Sequence, residues 1–346
     1  MFGKMMNNYY YGKSGKGDFR KDDMPETRMQ LFWDTLRTRL SGLCRLNLLY
    51  MLVWLPAIIV IMLFTSRVYS SLTQYLLLQE NDYAGYVQYV EAAEGEVTVT
   101  EEEYNALKAE EVDIAQYMRG NLFSLLLYLI PCIAITGPFT AGLSYVTRNW
   151  ARDEHAFIWS DFRDAVKANW KIPLVLSIIT GVLPLLVFLG WETYGQLAQQ
   201  NTIMIVPQVL VVLVAIIWAL SITYMHPLTV TYDLKLKNVL RNGLLLGVAR
   251  LPFSVGIRLL HCVPLLLGFA AVWFFGLEIM LAMVLVTGYY MLIGFSLSRF
   301  ITASYTNAVF DRFINPRIEG AKVNQGLRQK EEDDEDEEDV TEDAKE

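Results

Sequence analysis

The residues able to do chemistry are few and scattered. Histidine occurs at His155, His226 and His261. Imidazole ligates metals and moves protons near neutral pH. His155 follows Asp153 and Glu154, His226 closes an apolar run, and His261 sits beside Cys262 inside another. The three come from separate segments without ligand spacing, so we expect no metal site and no cofactor. Arg258 lies about six residues, or ~9 Å, into an apolar run, close enough to an aqueous face to snorkel. Glu192 and Glu278 lie at the far edges of such runs, where a carboxylate is easily hydrated. No ladder of intramembrane acids suggests a proton pump. HExxH, GxSxG, Walker and dinucleotide-glycine patterns are absent. Gly12-Lys-Ser-Gly15-Lys-Gly17 lacks the spacing of a phosphate loop and reads as a flexible tail. The expectation is a protein that is not an enzyme.

The elements carrying these residues belong in lipid. Of the 346 residues, 53% are hydrophobic and 19% charged, against about 25% charged in a soluble domain. The apolar residues fall in runs rather than alternating. Six candidate spans follow: 46–65, 121–146, 172–190, 203–225, 253–275 and 279–298. Each is near the roughly 20 residues that cross ~30 Å of hydrocarbon as a helix. Lipid leaves an open sheet unsatisfied, so the expected fold is an all-α membrane protein of six transmembrane helices. No basic start followed by a short apolar run marks a cleavable signal peptide, so the first span stays as an anchor. Only Gly276, Leu277 and Glu278 join the last two spans, which must form a tight hairpin.

Charge sets the orientation. Nine Lys and Arg precede the first span and seven follow the last. The loops after the second and fourth spans are also basic, whereas the three opposite connections hold three, none and none. The positive-inside rule then puts both termini in the cytoplasm. The net charge of −8 hides two acidic parts, −8 over residues 66–120 and −11 over 331–346, which leaves +11 elsewhere. That remainder suits an anionic inner leaflet, so the expected partner is the lipid bilayer and not nucleic acid. The expected organisation is a flexible polar tail over 1–27, a membrane domain over 28–315 with an extracytoplasmic acidic insertion at 66–120, and a disordered acidic tail over 316–346. Cys44, Cys132 and Cys262 lie at or within spans, where they pack as small hydrophobes.

The densest stretch is 137–171, GPFTAGLSYVTRNWARDEHAFIWSDFRDAVKANWK. Gly137 and Ala141 share a helix face and invite close helix packing, and Pro138 can kink the span. Ile158, Trp159, Phe162, Val166 and Trp170 fit one face of an interfacial helix, with Asp161, Arg163, Asp164 and Lys167 on the wetter side. The segment reads first as an elbow that aims the next span. A sharper reading makes Arg152, Asp153, Glu154, His155, Trp159, Phe162 and Trp170 a partner surface.

This stretch and the entry RLNLLYMLVWLP at 45–56 resemble the YesL family of small bacterial membrane proteins, over roughly residues 30–315. The family is known chiefly as a domain of unknown function, and no catalytic residue carries over. The resemblance implies a bacterial cytoplasmic membrane and a link to sugar uptake, because family members often neighbour carbohydrate-uptake and two-component signalling genes. It therefore implies an accessory or regulatory role, with a sugar transporter or sensor kinase as partner. A small-solute transporter or channel is the alternative. The long external insertion and the two tails depart from the compact family pattern.

Pro56, Pro184 and Pro264 mark the odd-numbered spans, each preceded by an amphipathic segment, and the even-numbered spans end on similar Thr/Tyr exits. Three repeated helical hairpins with cytoplasmic amphipathic elbows would produce this. So would the small alphabet of membrane sequences. In the insertion, Val97-Thr-Val-Thr100 alternates like a strand, and Thr100 with Glu103 forms a capping-box pattern opening a helix over 101–111. A small helical cap is expected there, with its tyrosines packed or free to stack on sugar rings.

Overall fold

A computed structural model describes residues 24–95, 99–109 and 113–328. The glycine-rich start, residues 97 and 98 of the expected strand, and the acidic run 331–346 lie outside them.

The described elements are helical throughout. In chain order they are α1 (Arg28–Gln79), α2 (Tyr83–Glu94), α3 (Glu101–Ala109), α4 (Ile114–Trp150), α5 (Ser160–Asn169), α6 (Lys171–Gln200), α7 (Ile205–Thr231), α8 (Leu236–Ala249), α9 (Leu251–Phe275), α10 (Ile279–Tyr289) and α11 (Phe295–Phe313). Six stretches are long and apolar enough to cross a membrane: α1, α4, α6, α7, α9 and the continuous α10–α11. The chain is therefore built as a multi-pass membrane protein.

α1 corrects one expectation. No separate elbow precedes the first span, because helix runs unbroken from a capping box at Thr27 and Gln30 to Gln79. No proline interrupts 28–46, and Leu31, Thr35, Leu43 and Leu46 keep helical spacing along one buried face. Pro56 lies inside the helix without ending it. Its 52 residues extend about 78 Å, far beyond the hydrocarbon thickness.

α4 is the hub. α1, α5, α6, α7 and α11 all pack on it. The short helices α5 and α8 each lie on the span that precedes them, where a missing side chain makes room. A Cβ on Gly142 of α4 would stand 2.8 Å from the Phe162 carbonyl of α5. One on Gly247 of α8 would stand 2.6 Å from Ser221 Oγ of α7. Small residues replace the hydrophobic drive that lipid cannot supply between helices.

Buried side chains gather toward one end of the bundle, the end carrying α5 and α8, here termed the elbow face. Leu43, Leu46 and Tyr50 of α1 meet Leu143, Val146 and Trp150 of α4 and Phe300 and Ala303 of α11. Tyr224 and Leu228 of α7 meet Val309 and Phe310 of α11. At the opposite end, α2 and α3 form a small cap around Tyr86, Val90 and Tyr104. Thr100 and Glu103 exchange the capping-box bonds at its second helix.

The sixth span is interrupted. Tyr290–Gly294 forms a π turn between α10 and α11. The turn leaves backbone groups without helical partners, and Asn47 of α1 supplies them. Its Nδ2 donates to the carbonyls of Tyr290 at 2.9 Å and Met291 at 2.8 Å. Its Oδ1 accepts from the Ser296 N–H at 3.0 Å. Gly276, at φ 64, takes the left-handed conformation that ends α9 and opens the tight hairpin to α10.

Candidate functional site

The last turn of α4 delivers Arg148 to the elbow face, and its environment is crowded. One Nη donates to the Val230 carbonyl of α7 at 2.7 Å, and the other lies 3.9 Å from Glu154. The Arg148 carbonyl accepts from Asn307 of α11 at 3.4 Å. A single residue thus ties α4 to α7, α11 and the turn after it.

That turn folds back on the helix. Asp153 has φ 56, a left-handed value that Asp and Asn tolerate better than most residues. The Glu154 N–H then donates to the Asn149 carbonyl at 2.8 Å. Glu154 sits between two cations, because Arg152 Nε lies 3.7 Å from its other oxygen. Partial burial pushes the Asp153 carboxyl above the usual carboxylate range, and Arg39 of α1 opposes that shift.

The chain's own distal segment seals this turn. Arg152 donates to Gln325 at 2.5 Å. Gly326, at φ 81, passes so near that a Cβ would stand 2.7 Å from the Arg152 carbonyl. The segment is held in turn by α1. Arg28 pairs with Asp311 of α11 at 2.6 Å and donates to Asn324 at 2.7 Å. The Arg328 N–H donates to the Pro25 carbonyl at 2.9 Å. Both ends of the described chain therefore meet on the elbow face.

The seven residues expected to form one partner surface divide into three groups. Arg152 and Glu154 are engaged in the lock just described, and Asp153 forms its left-handed corner. Phe162 is a correction: it is 4% exposed and belongs to the core, beside Phe139 and over Gly142. Phe162 and Ala165 share the α5 face that meets α4. Ala156 and Ile158 already fill the space beneath the turn, which leaves Trp159 outside. The outward group is therefore His155, Trp159 at 63% exposure and Trp170 at 46%, joined by Phe157 at 65%. The His155 and Phe157 rings meet edge to face at 4.5 Å, and Lys171 lies over the Trp170 ring. Beside Trp170 a groove of about 520 Å³ opens between residues 168–173 and 229–234, lined by Lys171, Pro173, Tyr232 and Asp233 among others.

Gly137 and Ala141 lie on the inner side of α4. A Cβ on Gly137 would stand 2.3 Å from the Pro173 carbonyl, so α4 and α6 touch backbone to backbone there. Pro138 is held within α4, which continues to Trp150. Arg28, Asp311, Asn324 and Gln325 were not foreseen as part of the site. They carry no local signal, since partners such as Arg28 and Asp311 stand 283 positions apart.

Chemically the arrangement is a lock with an aromatic rim. The cations and carboxylates of the turn hold one another in place, and no three His, Cys, Asp or Glu side chains converge among the described residues. His155 lies exposed on the turn, while His226 is buried in α7 and His261 faces Thr302 from α9.

Residues 117–191 match the model of a protein family of unknown function, DUF624. The match takes in nearly all of α4, the locked turn, α5 and most of α6. No curated protein and no solved structure matches the chain. The stretch from α4 to α6, which holds the elbow and its rim, is thus similar to that family.

Proposed function

We propose that the chain is a non-enzymatic accessory or regulatory membrane protein of the YesL kind, tied to carbohydrate uptake or its signalling. It sits in a bacterial cytoplasmic membrane with the elbow face and both ends in the cytoplasm. The observation that carries this reading is the locked joint on the elbow face, which presents Phe157, Trp159 and Trp170 outward. Three outward aromatic rings flanking the amphipathic helix α5 suit a protein partner at the membrane surface. The partner is a sugar transporter or sensor kinase in the same membrane. The carbohydrate link rests on the family resemblance, and the cytoplasmic placement on the Lys and Arg gathered at this face. The repeat reading draws support from α5 and α8, which each pack on the preceding span, although the glycine at the contact lies on the span in one and on the short helix in the other, and α1 lacks a separate elbow.

The test is copurification in mild detergent. A stoichiometric transporter or kinase that is lost on Phe157→Ala/Trp159→Ala, with thermal stability unchanged, supports the reading. A second reading, a small-solute transporter, draws on the π turn in the sixth span, since interrupted helices often line transport sites. Solute flux by the purified chain alone in liposomes would overturn the first reading in favour of the second.

A further inference from the structure

A second charge cluster lies between α7, α9 and α11, apart from the locked turn. Its floor is a polar contact of three helices: the Tyr224 hydroxyl stands 2.8 Å from Ser254 Oγ and 2.9 Å from the Tyr305 hydroxyl. α9 and α11 run antiparallel past this layer. Stepping along α9 from Ser254 through Arg258 to His261 keeps one helix face and passes Tyr305, then Thr302, on α11. The 3.4 Å separation of His261 Nε2 and Thr302 Oγ1 holds that register. Arg258 and Arg299 lie within electrostatic reach of each other and of both imidazoles. His226 closes the cluster from α7. It is 4% exposed, and its Nδ1 has no hydrogen-bond partner, nor has Arg258 Nε.

The cluster holds cations without a counter-ion. Arg28, Arg119, Arg148, Arg152 and Arg328 each have a carboxylate within 4.0 Å. Around Arg258 and Arg299 the remaining titratable groups are Cys262 and Tyr50, and among the described residues no carboxylate pairs with either guanidinium. Two cations set together in a membrane span are costly unless an anion joins them. Planar guanidinium forks match the several oxygens of a phosphoryl group, and a buried imidazole adds a further polar contact. Arg258 lies about 10 Å along α9 from its start. Its stem leans back toward the helix N-terminus and so toward the elbow face. That depth is open both to a phospholipid headgroup and to a phosphate group entering from water.

We propose that Arg258, Arg299 and His226 form an intramembrane site for a phosphoryl oxyanion. The full chain is purified in non-ionic detergent and exchanged into bicelles of a neutral galactolipid, which carries no phosphate. Phosphatidylglycerol and inorganic phosphate are then titrated separately, with the thermal midpoint as readout. A saturable rise with phosphatidylglycerol assigns a lipid headgroup, and one with phosphate alone assigns a soluble source. The response persists in Arg312→Gln, whose exposed arginine lies outside the cluster. It weakens about tenfold in apparent affinity in Arg258→Gln, the loss expected for one charge-assisted hydrogen bond. No saturable response of the unsubstituted chain to either probe overturns the proposal, whatever the variants do. An equal response in Arg258→Gln and Arg312→Gln also overturns it, because the anion would then be reading surface charge.

Discussion

Phe162 and Phe269 are the same side chain in two surroundings. Phe162 is closed between α5 and α4 on the elbow face, whereas Phe269 lies 64% exposed on the distal half of α9. The contrast holds for whole regions. On the elbow-face half, Thr140, Ser144 and Thr147 of α4, Ser221 and Thr223 of α7, and Ser296, Thr302 and Thr306 of α11 are buried. The distal half of α9 is instead a wall of exposed rings and aliphatics, including Trp273, Phe274 and Phe275. Lipid chains are as apolar as leucine, so hydrophobicity alone gives large apolar residues little reason to leave them for another helix. Small and hydroxylated residues do, because they allow close approach and find hydrogen-bond partners. In this chain the more polar half is the packed half, the reverse of a water-soluble core.

The largest test of that contrast is Asn47→Leu. It removes the partner of two carbonyls and one N–H at the π turn, and we expect a loss of roughly 3 kcal/mol or more in detergent unfolding. If the more apolar leucine proves neutral, polar packing is not what holds this half together. Next come Phe162→Ala and Phe269→Ala as a matched pair. The first should cost about 3 kcal/mol, as for a well-packed core ring. The second should cost under about 0.5 kcal/mol, because its ring meets lipid in both the folded and unfolded states. Equal losses would erase the distinction between the halves. Arg28→Ala opens the contact of α1 with Asp311 and Asn324 and should cost about 1 kcal/mol, with faster proteolysis across 315–328 and a smaller effect in high salt.

The smallest effect is a pH dependence. The Asp153 carboxyl is raised above its ordinary value chiefly by burial. The folded state therefore holds that proton more tightly than the unfolded one. Stability falls as pH rises from the ordinary carboxylate value through the raised one, and the full penalty is present above both. Asp153→Asn keeps a residue suited to φ 56 and removes the charge. It should be slightly more stable than the parent at pH 7, by up to about 0.5 kcal/mol, and the gain should shrink as pH falls through the raised value and be gone below about 4. Matched thermal scans at the two pH values check this.

What could be read from the chain without its fold was whatever depends on near neighbours. Apolar runs marked the six spans, because each span meets lipid along its own length. Thr100 and Glu103 marked the start of α3, and Gly276 the hairpin, because caps and turns are settled within a few residues. Contacts across the chain were not legible. Asn47 is one asparagine in an apolar entry segment, and only the π turn 243 positions later gives it work. The seal of Gln325 on Arg152 is equally remote. Phe162 was misplaced for a different reason. Periodicity put it in one row with Trp159 and Trp170, but which part of that row turns inward depends on Gly142 and on the space already filled by Ala156 and Ile158. Arg299 was counted only as one basic residue among several, since nothing local reveals that Arg258 lies within electrostatic reach of it.

A π turn is a helix holding one residue more than its ladder uses. Each residue of an α-helix advances the side-chain direction by about 100°. α10 and α11 are therefore out of phase by roughly that angle, and the row of α11 that enters the elbow-face core does not continue as the same row in α10. Loss of a single residue between Tyr290 and Gly294 would restore a regular helix and swing all of α10 about its axis, carrying the α9–α10 hairpin with it. The sixth span is thus held at the angular setting that the π turn imposes, and Asn47 fixes it there.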